Sequence, residues 1–191
     1  GLTFKHSFSN GMKSIDGMPS VLSGIPMFIE PFFLTPSSLN TVSSIGGELG
    51  KKGYYTAFFH GADNGSMGFE AFARTAGYTH YFGRTEYNEA NPDNKDFDGH
   101  WGIWDEKFFQ FFGNTLSGFQ QPFAAALFSL SSHHPFAVPA EYEGVFPKGN
   151  KPIRQCIGYT DNALKLFFEK VSKEPWYKNT LFVFTADHTN S

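Results

Sequence analysis

Three apolar, strand-forming runs in this chain each stop at histidine, and helix-like stretches separate them. Tyr54-Tyr55-Thr56-Ala57-Phe58-Phe59 ends at His60, and the run from Pro122 to Leu130 leads into Ser131-Ser132-His133-His134-Pro135. Thr180-Leu181-Phe182-Val183-Phe184-Thr185-Ala186 delivers Asp187-His188. Strands that alternate with helices fold as an α/β unit, a mostly parallel sheet covered by helices on both faces. Such sheets bind ligands outside the carboxyl ends of their strands. One histidine at such a point is more often a satisfied core residue, and an Asp-His pair alone is more often a turn cap. Their recurrence at three strand ends points to a site.

The helices between these strands are legible by the same rules. Met18, Val21, Leu22 and Ile25 recur at helical spacing after Asn10-Gly11-Met12-Lys13-Ser14, predicting a helix over 14–24. Ser14 then stands at or just before a helix N-terminus, where free N–H groups and the helix dipole favour an anion. It reads either as an N-cap or as a hydroxyl nucleophile toward a phosphate or sulfate ester, and the two roles are compatible. Further helices are expected over 37–52, capped by Ser37 or Ser38 and ended by Gly53, and over 69–76, 104–116 and 151–173. In the last, Ile153, Ile157, Leu164, Phe167, Phe168 and Val171 share a face, and Cys156 reads as a buried thiol. Thr79–Phe82 predicts a short strand. The acidic, Asn-, Gly- and Pro-containing stretch 84–100 predicts a long exposed loop at a substrate entrance. Ile25–Leu34, apolar but broken by Pro26, Glu30 and Pro31, reads as a loop or hydrophobic rim.

Several of these segments together resemble one family. Asn10-Gly-Met-Lys-Ser14-Ile-Asp-Gly-Met-Pro-Ser, His60-Gly, Gly77-Tyr78, Trp101-Gly-Ile-Trp-Asp105, Ser132-His133-His134-Pro135-Phe136 and Thr185-Ala-Asp187-His188 occur in the order found in the sulfatase family. Within it the chain is most similar to the lipoteichoic acid synthase-like branch of the alkaline phosphatase superfamily. The resemblance covers nearly the whole chain and implies a single, partial catalytic domain over 1–191. It implies that Ser14 is both the nucleophile and a metal ligand, that Asp187 and His188 bind the same divalent ion, and that His133 and His60 contact the substrate head group; such oxygen and nitrogen ligands suit Mn or Zn. It also implies a further Glu ligand upstream of these residues, and more strands beyond them. The chain is therefore expected to be an internal part of a larger, membrane-anchored protein whose catalytic domain works outside the cytoplasmic membrane.

Two departures bear on the substrate. Met67 and Phe69 fall where lipoteichoic acid synthases have Trp and Arg, which removes a planar fork for phosphate. Ser14-Ile15-Asp16-Gly17-Met18 lacks the Pro and Arg of the Cys/Ser-x-Pro-x-Arg motif that true sulfatases convert to formylglycine.

Composition excludes other classes. A formal net charge of −3 without a basic stripe gives no footprint for nucleic acid. One cysteine excludes an intrachain disulfide framework, and no apolar run is long enough to span a bilayer. Twenty-four Phe in 191 residues predict an aromatic interior. The expected activity is thus a metal-dependent phospho- or sulfo-ester transferase or hydrolase acting on an anionic ester, lipid- or glycan-linked. The alternatives are a true sulfuric ester hydrolase and a domain that binds a glycan or lipid head group without turnover. His6, upstream of the Ser14 turn, is a further candidate for the site; Lys13, His80 and His100 read as surface residues.

Overall fold

The computed structural model describes residues 1–189. Strands β1 (Tyr55–His60), β2 (His80–Phe82) and β3 (Phe123–Phe128) form a parallel sheet in the order β2-β1-β3. The register pairs Tyr55 with Phe123 and His60 with Phe128, so β1 and β3 end level with one another.

Helices cover both faces, and the alternation along β1 shows why. Phe58 points toward α1 (Ser14–Ser23), α2 (Ile45–Gly50) and α3 (Phe69–Thr75), where it joins Met18, Leu22, Phe69, Phe72, Ala73 and Tyr78. Ala57 and Phe59 point the other way, toward Tyr87 of α4 (Arg84–Ala90) and Phe108 of α5 (Asp105–Ser117). Beyond α5 lies α6 (Ile153–Val171), whose Ala163, Phe167 and Val171 pack on Phe109 and Leu116. A strand buried on both faces is mostly apolar, which is why β1 lacks a polar alternation; its buried Thr56 and His60 are hydrogen-bonded. The aromatic interior is literal: Phe59 lies parallel to Phe82 at 4.6 Å and edge-on to Phe112 at 4.7 Å.

Four local expectations are corrected. The helix over 37–52 is two pieces, a 3-10 turn at Pro36–Leu39 and α2; the cap is Ser44, whose Oγ accepts the Gly47 N–H at 3.0 Å. Residues 84–100 are not one long loop. They begin with α4, because the Glu86 carboxylate accepts the Gly83 N–H at 2.6 Å and starts a helix in polar sequence. On α6 the inward face runs through Cys156, Tyr159, Ala163, Phe167 and Val171, while Ile157 is 54% exposed.

The expected strand over 180–186 is extended but joins no sheet among the described residues. Phe182 packs on Phe168, at 5.1 Å, and on Tyr177, at 5.4 Å, while Leu181, Val183 and Phe184 face outward. Alternating apolar residues specify an extended backbone and an inward face; they do not by themselves supply a hydrogen-bonding neighbour.

Candidate active site

Ser14 is the first residue of α1. The preceding Lys13 is extended (φ −139°, ψ 156°), and among the described residues no side chain caps the helix. The Ser14 hydroxyl is therefore not spent on the cap that its residue type would ordinarily supply. The turn before it is held from inside. The Met12 N–H donates to Asp16 Oδ2 at 3.2 Å, and the Met27 N–H donates to Asn10 Oδ1 at 2.7 Å. Gly11 adopts φ +91°, and a Cβ there would run into the Asp16 side chain.

Asp187 and His188 reach this helix start from the far end of the chain. They fit because Gly17 has no side chain: a Cβ there would lie 2.7 Å from the Asp187 carbonyl oxygen. His188 Nε2 is 3.4 Å from Ser14 Oγ and 3.4 Å from Asp187 Oδ2. His188 Nδ1 is 2.8 Å from the Thr189 carbonyl. A carbonyl can only accept, so Nδ1 carries the proton and Nε2 of the neutral ring offers a lone pair.

These three residues suit a divalent ion. Hydroxyl oxygen, carboxylate oxygen and imidazole nitrogen are ligands that Zn and Mn accept. Two donors about 2.0–2.1 Å from one tetrahedral ion lie roughly 3.3–3.4 Å apart, the separation seen on both sides of His188 Nε2. Among the described residues no group of three or more His, Cys, Asp or Glu side chains converges, so Ser14, Asp187 and His188 form an incomplete set.

His133 follows β3 in a second group. Its Nδ1 is 3.1 Å from the His134 carbonyl, which again fixes the proton on Nδ1. The same carbonyl accepts the Trp101 indole N–H at 2.7 Å, and the Trp101 ring stands edge-on to His133 at 4.5 Å. The turn beneath is braced by Asp105, a wholly buried carboxylate at the start of α5. It accepts the N–H groups of Leu130 at 2.8 Å and Ser131 at 3.1 Å and the Thr160 hydroxyl at 3.0 Å. Desolvation outweighs these bonds and pushes the Asp105 carboxyl above its ordinary range. Asp98 Oδ1 meanwhile gathers the N–H groups of His100, Trp101 and Gly102 at 2.8, 2.7 and 3.0 Å.

His60 lies elsewhere. It is fully buried at the end of β1, with Nδ1 3.2 Å from the Phe128 carbonyl and its ring between Phe69 and Phe128. Burial lowers its pKa to about 4, so the ring is neutral, and Nε2 has no partner among the described residues. Phe69, where the related branch has Arg, is itself fully buried against it.

The structure thus brings Ser14, Asp187 and His188 together, holds His133 in a separate group after the end of β3, and buries His60 at the end of β1. His6, Lys13, His80 and His100 are exposed. Asp98, Trp101 and Asp105 carry the His133 turn through main-chain bonds, and sequence reasoning gave them no individual role. The visible signal was that Trp101 and Asp105 lie in one of the segments that carry the family resemblance. A pocket of about 10 Å³, room for one water, opens beside His133 and Trp101. A cleft of about 590 Å³ lies away from both groups, lined by Tyr87 and Asn91 on one side and Lys107 and Phe111 on the other.

The family model described as Sulfatase matches residues 1–191. Phosphoglycerol transferase I of Citrobacter koseri is 27% identical, covering 98% of this chain and 26% of that protein. Lipoteichoic acid synthase-like YvgJ of Bacillus subtilis is 26% identical, covering 71% of this chain and 22% of that protein. The chain therefore spans about a quarter of the length of these relatives. A crystal structure of an alkaline phosphatase superfamily protein from Vibrio parahaemolyticus superposes with a TM-score of 0.76 at 24% identity, over 89% of this chain and 41% of that one. At that identity the likeness establishes the fold.

Proposed function

This chain belongs to the sulfatase family, and on that premise we propose that it carries the catalytic centre of a metal-dependent phosphotransferase with Ser14 as nucleophile. The observation that carries the reading is the uncommitted Ser14 hydroxyl, 3.4 Å from a histidine that lies 174 residues away in sequence. A divalent ion, Mn or Zn, held by Ser14, Asp187 and His188, would lower the hydroxyl pKa and offset charge on the transferring group. The remaining ligand position falls to a donor outside these residues, for which the resemblance suggests Glu.

Ser14 Oγ, its proton passed to solvent, attacks phosphorus in line with the leaving alcohol oxygen. The Oγ–P bond forms, the bond to the leaving oxygen breaks, and protonated His133 gives that oxygen its Nε2 proton. An acceptor alcohol or water then passes its proton to His133 Nε2 and attacks phosphorus; the P–Oγ bond breaks, and Ser14 Oγ takes back a proton from solvent. The N-terminus of α1 faces the anion throughout, a role left open because no arginine stands at the Phe69 position, where the related branch has one. His60, sealed from solvent between Phe69 and Phe128, takes no part in these proton transfers.

The substrate class is an anionic phosphodiester, lipid- or glycan-linked, in keeping with relatives named for phosphoglycerol transfer and lipoteichoic acid synthesis. No described helix is long and apolar enough to cross a membrane. Placement of the domain outside the cytoplasmic membrane, on an anchored protein, rests on the family resemblance. The formylglycine chemistry of true sulfatases is disfavoured. Asp16 and Met18 take the Pro and Arg positions of that motif, and Met18 is a core residue only 2% exposed.

The test is to assay the intact protein, supplied with Mn or Zn, on a chromogenic phosphodiester and a chromogenic sulfate ester. Diester turnover lost in Ser14→Ala with metal still bound is the expected result. Sulfate turnover in its place would restore a sulfatase, and ligand binding without turnover would make this a binding domain.

A further inference from the structure

We propose that Trp101, held by Asp98, is a positioning residue that fixes the proton of His133 on Nδ1 and thereby aims its Nε2 at substrate. The proposal rests on the reading of His133 as the group that exchanges a proton with substrate. Its structural half can be tested apart from that reading.

One carbonyl does the fixing. The His134 oxygen accepts the Trp101 indole N–H at 2.7 Å and faces His133 Nδ1 at 3.1 Å. A carbonyl oxygen has two lone pairs, so these two donors saturate it and leave no acceptor site for water. The peptide plane is thereby held between two rings that also touch one another edge-on at 4.5 Å. Nδ1 keeps its proton in both the neutral ring and the imidazolium. Every proton that His133 takes or gives must then pass through Nε2, on the side of the ring away from the carbonyl.

Trp101 needs support of its own, because it is 37% exposed. Asp98 supplies that support by gathering three successive N–H groups, with the Trp101 N–H the shortest at 2.7 Å. The strand-like pairing of Asp98 N–H with the Gly102 carbonyl at 2.8 Å closes the same loop. Asp98 thus fixes the Trp101 backbone, Trp101 fixes the His134 carbonyl, and that carbonyl fixes the His133 tautomer. Among the described residues no comparable bond holds the Nε2 side, which is what a proton-transfer atom requires.

The experiment uses the intact protein with 15N-labelled histidine. Long-range proton–nitrogen correlation reads the tautomer of each ring, and His133→Gln assigns its signals. In the native protein His133 is expected as the Nδ1–H tautomer. Trp101→Phe keeps an aromatic ring but removes the N–H, and it should give mixed His133 tautomers. Turnover of a chromogenic phosphodiester should fall about tenfold in kcat, with KM changed less than twofold and metal content unchanged. Asp98→Ala should do the same, and Asp98→Asn, which keeps an acceptor oxygen in place, should restore most of the loss. An Nε2–H tautomer in the native protein, or a tautomer indifferent to both Trp101→Phe and Asp98→Ala, would overturn the proposal. If the tautomer responds as expected but no variant turns over any ester, the positioning stands and the catalytic reading fails.

Discussion

A neutral imidazole sealed between Phe69 and Phe128 makes His60 a source of pH sensitivity in the fold itself. Its native pKa is about 4 against an ordinary 6.5, so between these values the unfolded chain binds more protons than the native one. Stability must therefore rise with pH across that window, be complete above it, and be lost as pH falls from 6.5 toward 4. The full difference is roughly 3 kcal/mol. Chemical denaturation of the intact protein at pH 4.5, 5.5 and 7 should show this slope, and His60→Leu should flatten it. An unchanged slope would mean that His60 is solvated. The same residue shows a limit of sequence reading: a histidine at a strand end signals the sheet's functional edge, but only packing tells whether its ring faces solvent or Phe69.

At the scale of elements, close approach decides the site. Gly17→Ala should favour helix α1 by about 1 kcal/mol on propensity. Its Cβ, however, would meet the Asp187 carbonyl at 2.7 Å, and the exposed 180–189 segment is the part free to give way. Little net change in stability is expected, with metal affinity by calorimetry weakened about tenfold or more because Asp187 and His188 are displaced from Ser14. Undiminished metal affinity would separate those residues from the metal. Asp105→Asn tests the brace under His133. The carboxylate faces main-chain N–H groups on both oxygens, so an amide nitrogen in either orientation sets donor against donor, and a loss of about 2 kcal/mol is expected in denaturation. A loss within error would remove Asp105 from the support of that turn.

Much of this was legible in the chain. Strands β1 to β3 and helices α1, α3, α5 and α6 follow from run length and periodicity, and a motif in register with a family singled out Ser14, Asp187 and His188, which the fold brings within 3.4 Å. What sequence left hidden acts through main-chain contacts. Ser44 capping α2, Glu86 starting α4, and Asp98 and Trp101 steadying His133 depend on which backbone groups lie nearby, and no periodicity records that. The 180–186 segment failed for a related reason, since its pattern specifies extension without a pairing partner.

For the molecule as a whole, the parallel sheet gathers the ends of the chain. Ser14 near the beginning and Asp187-His188 near the end meet at one helix start, and β3 leads to His133 beyond its carboxyl end. That convergence is the central claim, with Ser14 as its reacting atom. The most direct test is to mix the intact protein with Mn and a phosphodiester, quench in acid, and locate any covalent adduct by peptide mass spectrometry. The account predicts a phosphoryl-linked adduct on Ser14, absent from Ser14→Ala together with turnover. Full turnover by Ser14→Ala, or an adduct on another residue, would contradict it.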